Sequence, residues 1–187
     1  MKNEDAIAKL TPGQALLIVN RLARLGDEIR NAVLIEAMNV LNEVDLAATA
    51  EAVFAALDFI DVEECWDRAG ASRHGYTSPD DAAAELINEE LDPFLDQINR
   101  YHDLGMFDQE IAECKGVILG LYRYEQESKS EFREWCEDIS GECARALLDD
   151  WRKRNQNAAR LGEMHEFICE HCPEWAKSMA GRRREAG

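Results

Sequence analysis

Apolar residues recur at helical spacing along almost the whole chain. Ile111, Cys114, Ile118 and Leu121 fall three or four apart and draw one stripe down a helix, closed by the charge of Glu125. Similar stripes run through Leu16 to Leu25, Ile29 to Leu41, Leu46 to Leu57 and Ala144 to Trp151. Nothing that interrupts them reads as a strand. The pattern predicts an all-α protein, because each stripe must be hidden against another helix.

Local signals divide the pattern into elements. Thr11-Pro12 offers a capping hydroxyl followed by proline at the first helical position, and Gly26 closes that helix. Asp27-Glu28 starts the next, with acids at its positive end, and runs to about Asn42. Asp45 and Asp61 start two more. Turn formers fill Gly70 to Pro79, which is expected to be the longest irregular segment. Ser78-Pro79-Asp80-Asp81 is again a cap, and Pro93 predicts a kink or a fresh start at Asp92. Met106 to about Glu127 is the longest unbroken pattern. Further helices are expected over Phe132–Glu137, over Ser140–Arg154, from about Asn157, and for one turn after Pro173, with a frayed tail from Gly181.

The whole reads as antiparallel helical hairpins forming a bundle or a short α-solenoid. At 187 residues the chain fits a single domain over 1–187, with possible sub-lobes at 1–70 and 78–180. One internal echo fits a repeat of helical hairpins. Val19-Asn20-Arg21 followed by Leu25-Gly26 returns as Ile98-Asn99-Arg100 followed by Leu104-Gly105, an offset that would hold two units of HEAT-like length.

Charge narrows the choice of partners. The formal net charge is −17, which disfavours a phosphate backbone as ligand. Residues 61–110 carry 14 acids against 3 bases, whereas residues 111–187 carry 15 against 13. The acids therefore crowd the middle, around Asp80, Asp81, Glu85, Glu89, Glu90, Asp92 and Asp96. That favours a basic protein segment as partner. The first ten residues contain Glu4 and Asp5 and do not read as a signal peptide, and no apolar run reaches membrane-spanning length. A cytoplasmic protein is expected. The six cysteines do not form the pattern of a secreted disulfide framework, and Cys65, Cys114 and Cys143 read as small buried apolar residues.

Trp66-Asp67-Arg68-Ala69-Gly70, then Gly75-Tyr76 and Pro79, then Cys114-Lys115-Gly116 with Gly120-Leu121-Tyr122 resemble the helical region found in bacterial and archaeal proteins that carry a SWIM zinc finger. The resemblance covers about residues 30–155. It implies an α-helical repeat scaffold without assigned catalysis. The zinc-finger motif itself is absent, so a nucleic-acid role for that finger is not implied.

Several residue groups could carry chemistry. His165, Cys169 and Cys172 include a C-x-x-C pair with a histidine one turn before it, three ligands of the four that zinc prefers. The alternative is a pair of half-buried cysteines near a helix end. Gly116 and Gly120 share one helix face, flanked by Lys115 and Arg123. Something must approach that face closely, either a neighbouring helix or a bound peptide. Arg68, Arg73, His74 and Tyr76 surround the irregular segment, where loops often carry function and His74 could act as a general base. Trp135 and Tyr124 could line a peptide groove, or each could anchor one helical hairpin. No Glu-x-x-His pair, phosphate loop or nucleophile elbow is present.

These observations point to a non-enzymatic helical scaffold for protein–protein interaction, with no resident cofactor. The alternative is a metal- or small-ligand-binding protein that uses the His165–Cys172 end, with zinc as the metal.

Overall fold

The computed structural model describes residues 4–72, 75–135 and 138–180. Its helices are α1 (Glu4–Ile7), α2 (Pro12–Leu22), α3 (Asp27–Asn42), α4 (Leu46–Asp58), α5 (Val62–Arg68), α6 (Pro79–Asp103), α7 (Phe107–Glu127), α8 (Glu131–Trp135), α9 (Ile139–Arg154), α10 (Ala158–His171) and α11 (Pro173–Ala180). The all-α expectation holds. Between α5 and α6, β1 (Gly70–Ser72) and β2 (Gly75–Thr77) pair antiparallel, with Ala71 opposite Tyr76. The segment expected to be irregular is therefore a short ribbon.

The chain divides into two compact units, 1–44 and 45–187. The division falls at the turn after α3. The Gly70–Pro79 segment, expected as the seam between sub-lobes, lies inside the second unit. Contacts across it are the reason: the Cys65 thiol donates to the Pro79 carbonyl at 3.5 Å, and Arg68 on α5 pairs with Glu89 on α6 at 2.7 Å.

The first unit is a helical hairpin of α2 and α3. Thr11 caps α2 through a reciprocal box: the Gln14 N–H donates to Thr11 Oγ1, and the Thr11 N–H donates to Gln14 Oε1. Neither helix of this hairpin contains a buried residue.

The second unit is built around α7. Ten of its residues are buried, from Glu110 and Ile111 to Leu121 and Tyr124, so the single stripe read from sequence is only part of its apolar surface. Helices α4, α6, α9 and α10 all pack on it. Between Glu110 and Tyr124 only the face of Ala112, Lys115, Leu119 and Tyr122 is left half-buried, so α7 is the core helix of the unit. Helix α4 approaches closest, because Gly116 and Gly120 remove the side chains that would hold it off. A Cβ on Gly116 would lie 2.6 Å from Thr49 Cβ, and one on Gly120 2.6 Å from Val53 Cβ and 2.7 Å from the Ala50 carbonyl.

Helix α6 continues through Pro93, so of the kink or fresh start expected at Asp92 the fresh start does not occur. Proline removes the hydrogen bond to the Glu89 carbonyl. Pro93 is exposed, so water can serve that carbonyl. Leu86, Ile87 and Leu91 before it and Ile98 and Tyr101 after it are buried and hold both halves on the core. The helix ends at Gly105, whose φ of 70° is the left-handed conformation that glycine adopts without a Cβ penalty.

Candidate functional site

Helices α6 and α9 flank α7 and leave a cleft of about 410 Å³ between them. Positions Asn88, Leu91, Leu95 and Asn99 follow helical spacing and line it from α6. Cys143, Leu147, Asp150 and Arg154 do the same from α9, and Val117 and Leu121 of α7 form the floor. The lining is mostly apolar, and Leu95, Cys143 and Leu147 are only half-buried.

The rim is polar, with two acids, two asparagines and one arginine. Asn88, Asn99, Glu142, Asp150 and Arg154 border the opening. Beyond them on α6, Glu85, Asp92 and Asp96 are exposed. Helix α6 as a whole carries eight acids and one arginine, Arg100. The hydrogen bond from Lys153 lowers the pKa of the Asp150 carboxyl, which keeps it ionised.

Arg154 fixes one end of the cleft. Its Nη1 donates to Asn99 Oδ1 on the opposite wall at 2.7 Å. Its Nε lies 3.2 Å from Glu110 Oε1 as an ion pair, off the line of a hydrogen bond. Glu110 is fully buried, and its carboxylate also meets His102 Nδ1 at 3.1 Å and the Asn155 amide at 3.2 Å. A buried carboxylate needs such partners. This cluster ties the end of α6, the start of α7 and the end of α9 together, and so sets the spacing of the cleft walls.

The one thiol in the cleft is a poor nucleophile. Burial pushes Cys143 up to about 11, with the Glu142 charge adding to the effect, so it is protonated at neutral pH. It presents an apolar wall, and its thiol faces Asn88 Oδ1 across the cleft at 4.0 Å.

The residues singled out from sequence lie elsewhere. Gly116 and Gly120 are filled by α4, which leaves no bare backbone for a ligand. Lys115 pairs with Glu163 at 2.6 Å and lies over the Phe167 ring. Arg123 pairs with Glu51 and Glu127 and lies over Phe54. Both cations therefore tie α7 to its neighbours. Arg68 pairs with Glu64 and Glu89, each at 2.7 Å, which raises its pKa further. Tyr76 is 73% exposed and does not tie its segment down. Arg73 and His74 lie outside the described residues, as does the side chain of Trp135. Tyr124 is fully buried with its hydroxyl 3.3 Å from Ser130 Oγ, so it lines no surface groove.

At the other end, His165 Nε2 and Cys169 Sγ lie 3.7 Å apart on the exposed side of α10. Cys172 is buried, and burial pushes its thiol up to about 12. Among the described residues no group of three or more His, Cys, Asp or Glu is arranged to hold a metal ion. No described helix is long and apolar enough to cross a membrane.

The α6–α9 cleft was not read from the sequence. A signal for it exists. Helix α9 carries Ala144, Leu148 and Trp151 on its buried stripe and also Cys143 and Leu147 one position earlier, more apolar residues than a single core contact uses. Compared with protein-family models, with curated proteins and with solved structures, the chain matches none.

Proposed function

We propose that the chain is a non-enzymatic helical scaffold whose α6–α9 cleft receives an amphipathic, basic helical segment of another protein. The observation that carries this reading is the pairing of an apolar cleft with an acidic border. A partner helix would lay Leu-, Ile- or Met-type residues into the cleft and set Lys or Arg against Asp92, Asp96, Glu142 and Asp150. From Ala84 to Asn99 the α6 wall spans roughly 22 Å at ~1.5 Å per residue, which matches a docked helix of about 15 residues. The likeness of Trp66–Gly70 and Cys114–Tyr122 to the scaffold region that accompanies SWIM zinc fingers supports the same role. The described cysteines are free thiols, four of them with pKa raised by burial, which suits work in the reducing cytoplasm.

The test uses a synthetic amphipathic peptide of about 15 residues with leucines on one face and lysines on the other. A matched peptide replaces every lysine with glutamate. Titration followed by NMR should shift signals of α6 and α9 with the basic peptide alone, and rising salt should weaken binding. Leu147→Lys should weaken it about 10- to 100-fold by removing an apolar wall and adding repulsion. Equal binding of both peptides, or binding indifferent to Leu147→Lys, would overturn the reading.

A further inference from the structure

The first unit poses a separate problem. Leu16, Leu17, Ile18 and Val19 of α2 are four consecutive apolar residues, and each is at least 40% exposed. On α2, Leu16, Ile18, Val19 and Leu22 share one broad apolar face, with Leu17 among Gln14, Asn20 and Arg21 on the polar one. Leu22 and Leu25 continue the surface, and α3 adds Ile29, Leu34, Ile35, Met38 and Val40, 40–64% exposed. An apolar face left this open to water calls for a partner. Only Leu10, Ala15, Ala23, Val33, Leu41 and Val44 gain partial cover. Eleven large apolar residues of this hairpin are thus 37–68% exposed, and a standard interface takes ~800 Å² from each partner.

Charge selects the occupant. Residues 1–44 hold six acids and five bases, a net of −1, which leaves −16 on the rest of the chain. A second copy meets little repulsion at this nearly neutral hairpin, unlike at the acid-rich segment 61–110. The charges within the hairpin also suit an antiparallel mate. The turn end carries Arg21, Arg24 and Arg30 against Asp27 and Glu28, whereas the far half of α3 carries Glu36 and Glu43 without a base. Two hairpins laid antiparallel set the basic turn of each beside the acidic end of the other.

We propose that two copies of the chain associate through their α2–α3 hairpins, forming a four-helix dimer interface that closes over α2. This goes beyond the cleft reading and uses a different unit. The residues that carry it are Leu16 and Val19 on α2 and Leu34, Ile35 and Met38 on α3.

Sedimentation velocity and light scattering of the full chain test it. The expected mass is twice the 21.2 kDa of one chain, with micromolar or tighter affinity. Leu16→Glu with Ile35→Glu should weaken the dimer roughly 100-fold, because each buries an unpaired charge, while the cooperative thermal unfolding of the second unit persists. In mixed samples of differently isotope-labelled copies, nuclear Overhauser contacts should link α2 methyls of one copy to α3 methyls of the other. The cleft variant Leu147→Lys should leave the dimer intact. A monomeric wild type at ~50 µM, a dimer that survives the double variant, a dimer lost in Leu147→Lys, or hairpin protection that appears only on added lipid vesicles would each overturn the proposal. Failure of peptide binding at the cleft would leave this result unaffected.

Discussion

The two hairpins α2–α3 and α6–α7 are announced by the same local signals and end in opposite environments. Thr11-Pro12 opens one and Ser78-Pro79 the other, each with a capping hydroxyl that accepts a backbone N–H. Each first helix closes on the same Asn-Arg and Leu-Gly pairs. Yet Ile98 of α6 is fully buried, whereas its counterpart Val19 of α2 is 44% exposed. Helix α7 buries ten residues and α3 none. Capping and periodicity decide that a helix forms. Whether its stripe is covered depends on what else the chain brings to it, and α4, α6, α9 and α10 all pack on α7.

Truncation should separate the two hairpins most strongly. Ile98→Ala is expected to cost about 2–5 kcal/mol in urea unfolding, since it removes fully buried atoms and leaves a cavity. Val19→Ala at the equivalent place should cost less than ~0.5 kcal/mol at dilutions where the chain is monomeric. Equal losses would mean that the hairpin is covered within its own chain.

Glycine replacement gives a smaller contrast of opposite sign. Gly120→Ala drives a methyl into Val53 and the Ala50 carbonyl and should destabilise by roughly 1–3 kcal/mol as α4 is pushed off α7. Gly13→Ala, in the first turn of α2 with open space around it, should be neutral or stabilise by up to ~1 kcal/mol. Thermal denaturation of both variants reads the difference.

The smallest effect is a pH slope in the second unit. Burial raises the Glu113 carboxyl, with a partial offset from the Thr49 hydroxyl at 3.2 Å, and burial likewise raises Glu125 despite its bond from the Trp175 indole. A carboxyl with a raised pKa in the folded state holds its proton more tightly there than when unfolded. Its contribution is therefore most favourable in acid and declines as pH rises through the folded pKa. Glu113→Gln should flatten that decline and raise stability at pH 7 by about 1 kcal/mol or less. A stability profile that still falls as steeply between mildly acidic and neutral pH in this variant would remove Glu113 as a cause.

Much of the element map was legible in the sequence. The caps at Thr11, Asp45, Asp61, Ser78 and Asn157 each start a helix where a side chain accepts a nearby N–H. These are signals between near neighbours, so they survive in a one-dimensional reading. Pro93 starts no new helix, because the burial on both sides of it outweighs one lost hydrogen bond. The candidate sites fared worse. Lys115, Arg123 and Arg68 have the composition of a binding surface, but each charge is matched by a glutamate on another helix or one turn away. The cleft escaped notice because its walls lie 40 or more positions apart in the chain, from Ala84–Asn99 to Ile139–Arg154.

The chain by itself settles the class of structure, the positions at which helices start and stop, and the acid-rich middle, because short-range hydrogen bonding and side-chain spacing govern them. Tertiary packing settles the rest: that α7 is enclosed while α2 stands open, that two glycines are contacts for α4, and that α6 and α9 part to leave a cleft. Burial is a property of neighbours distant in sequence, and identical local signals carry no information about which neighbours arrive.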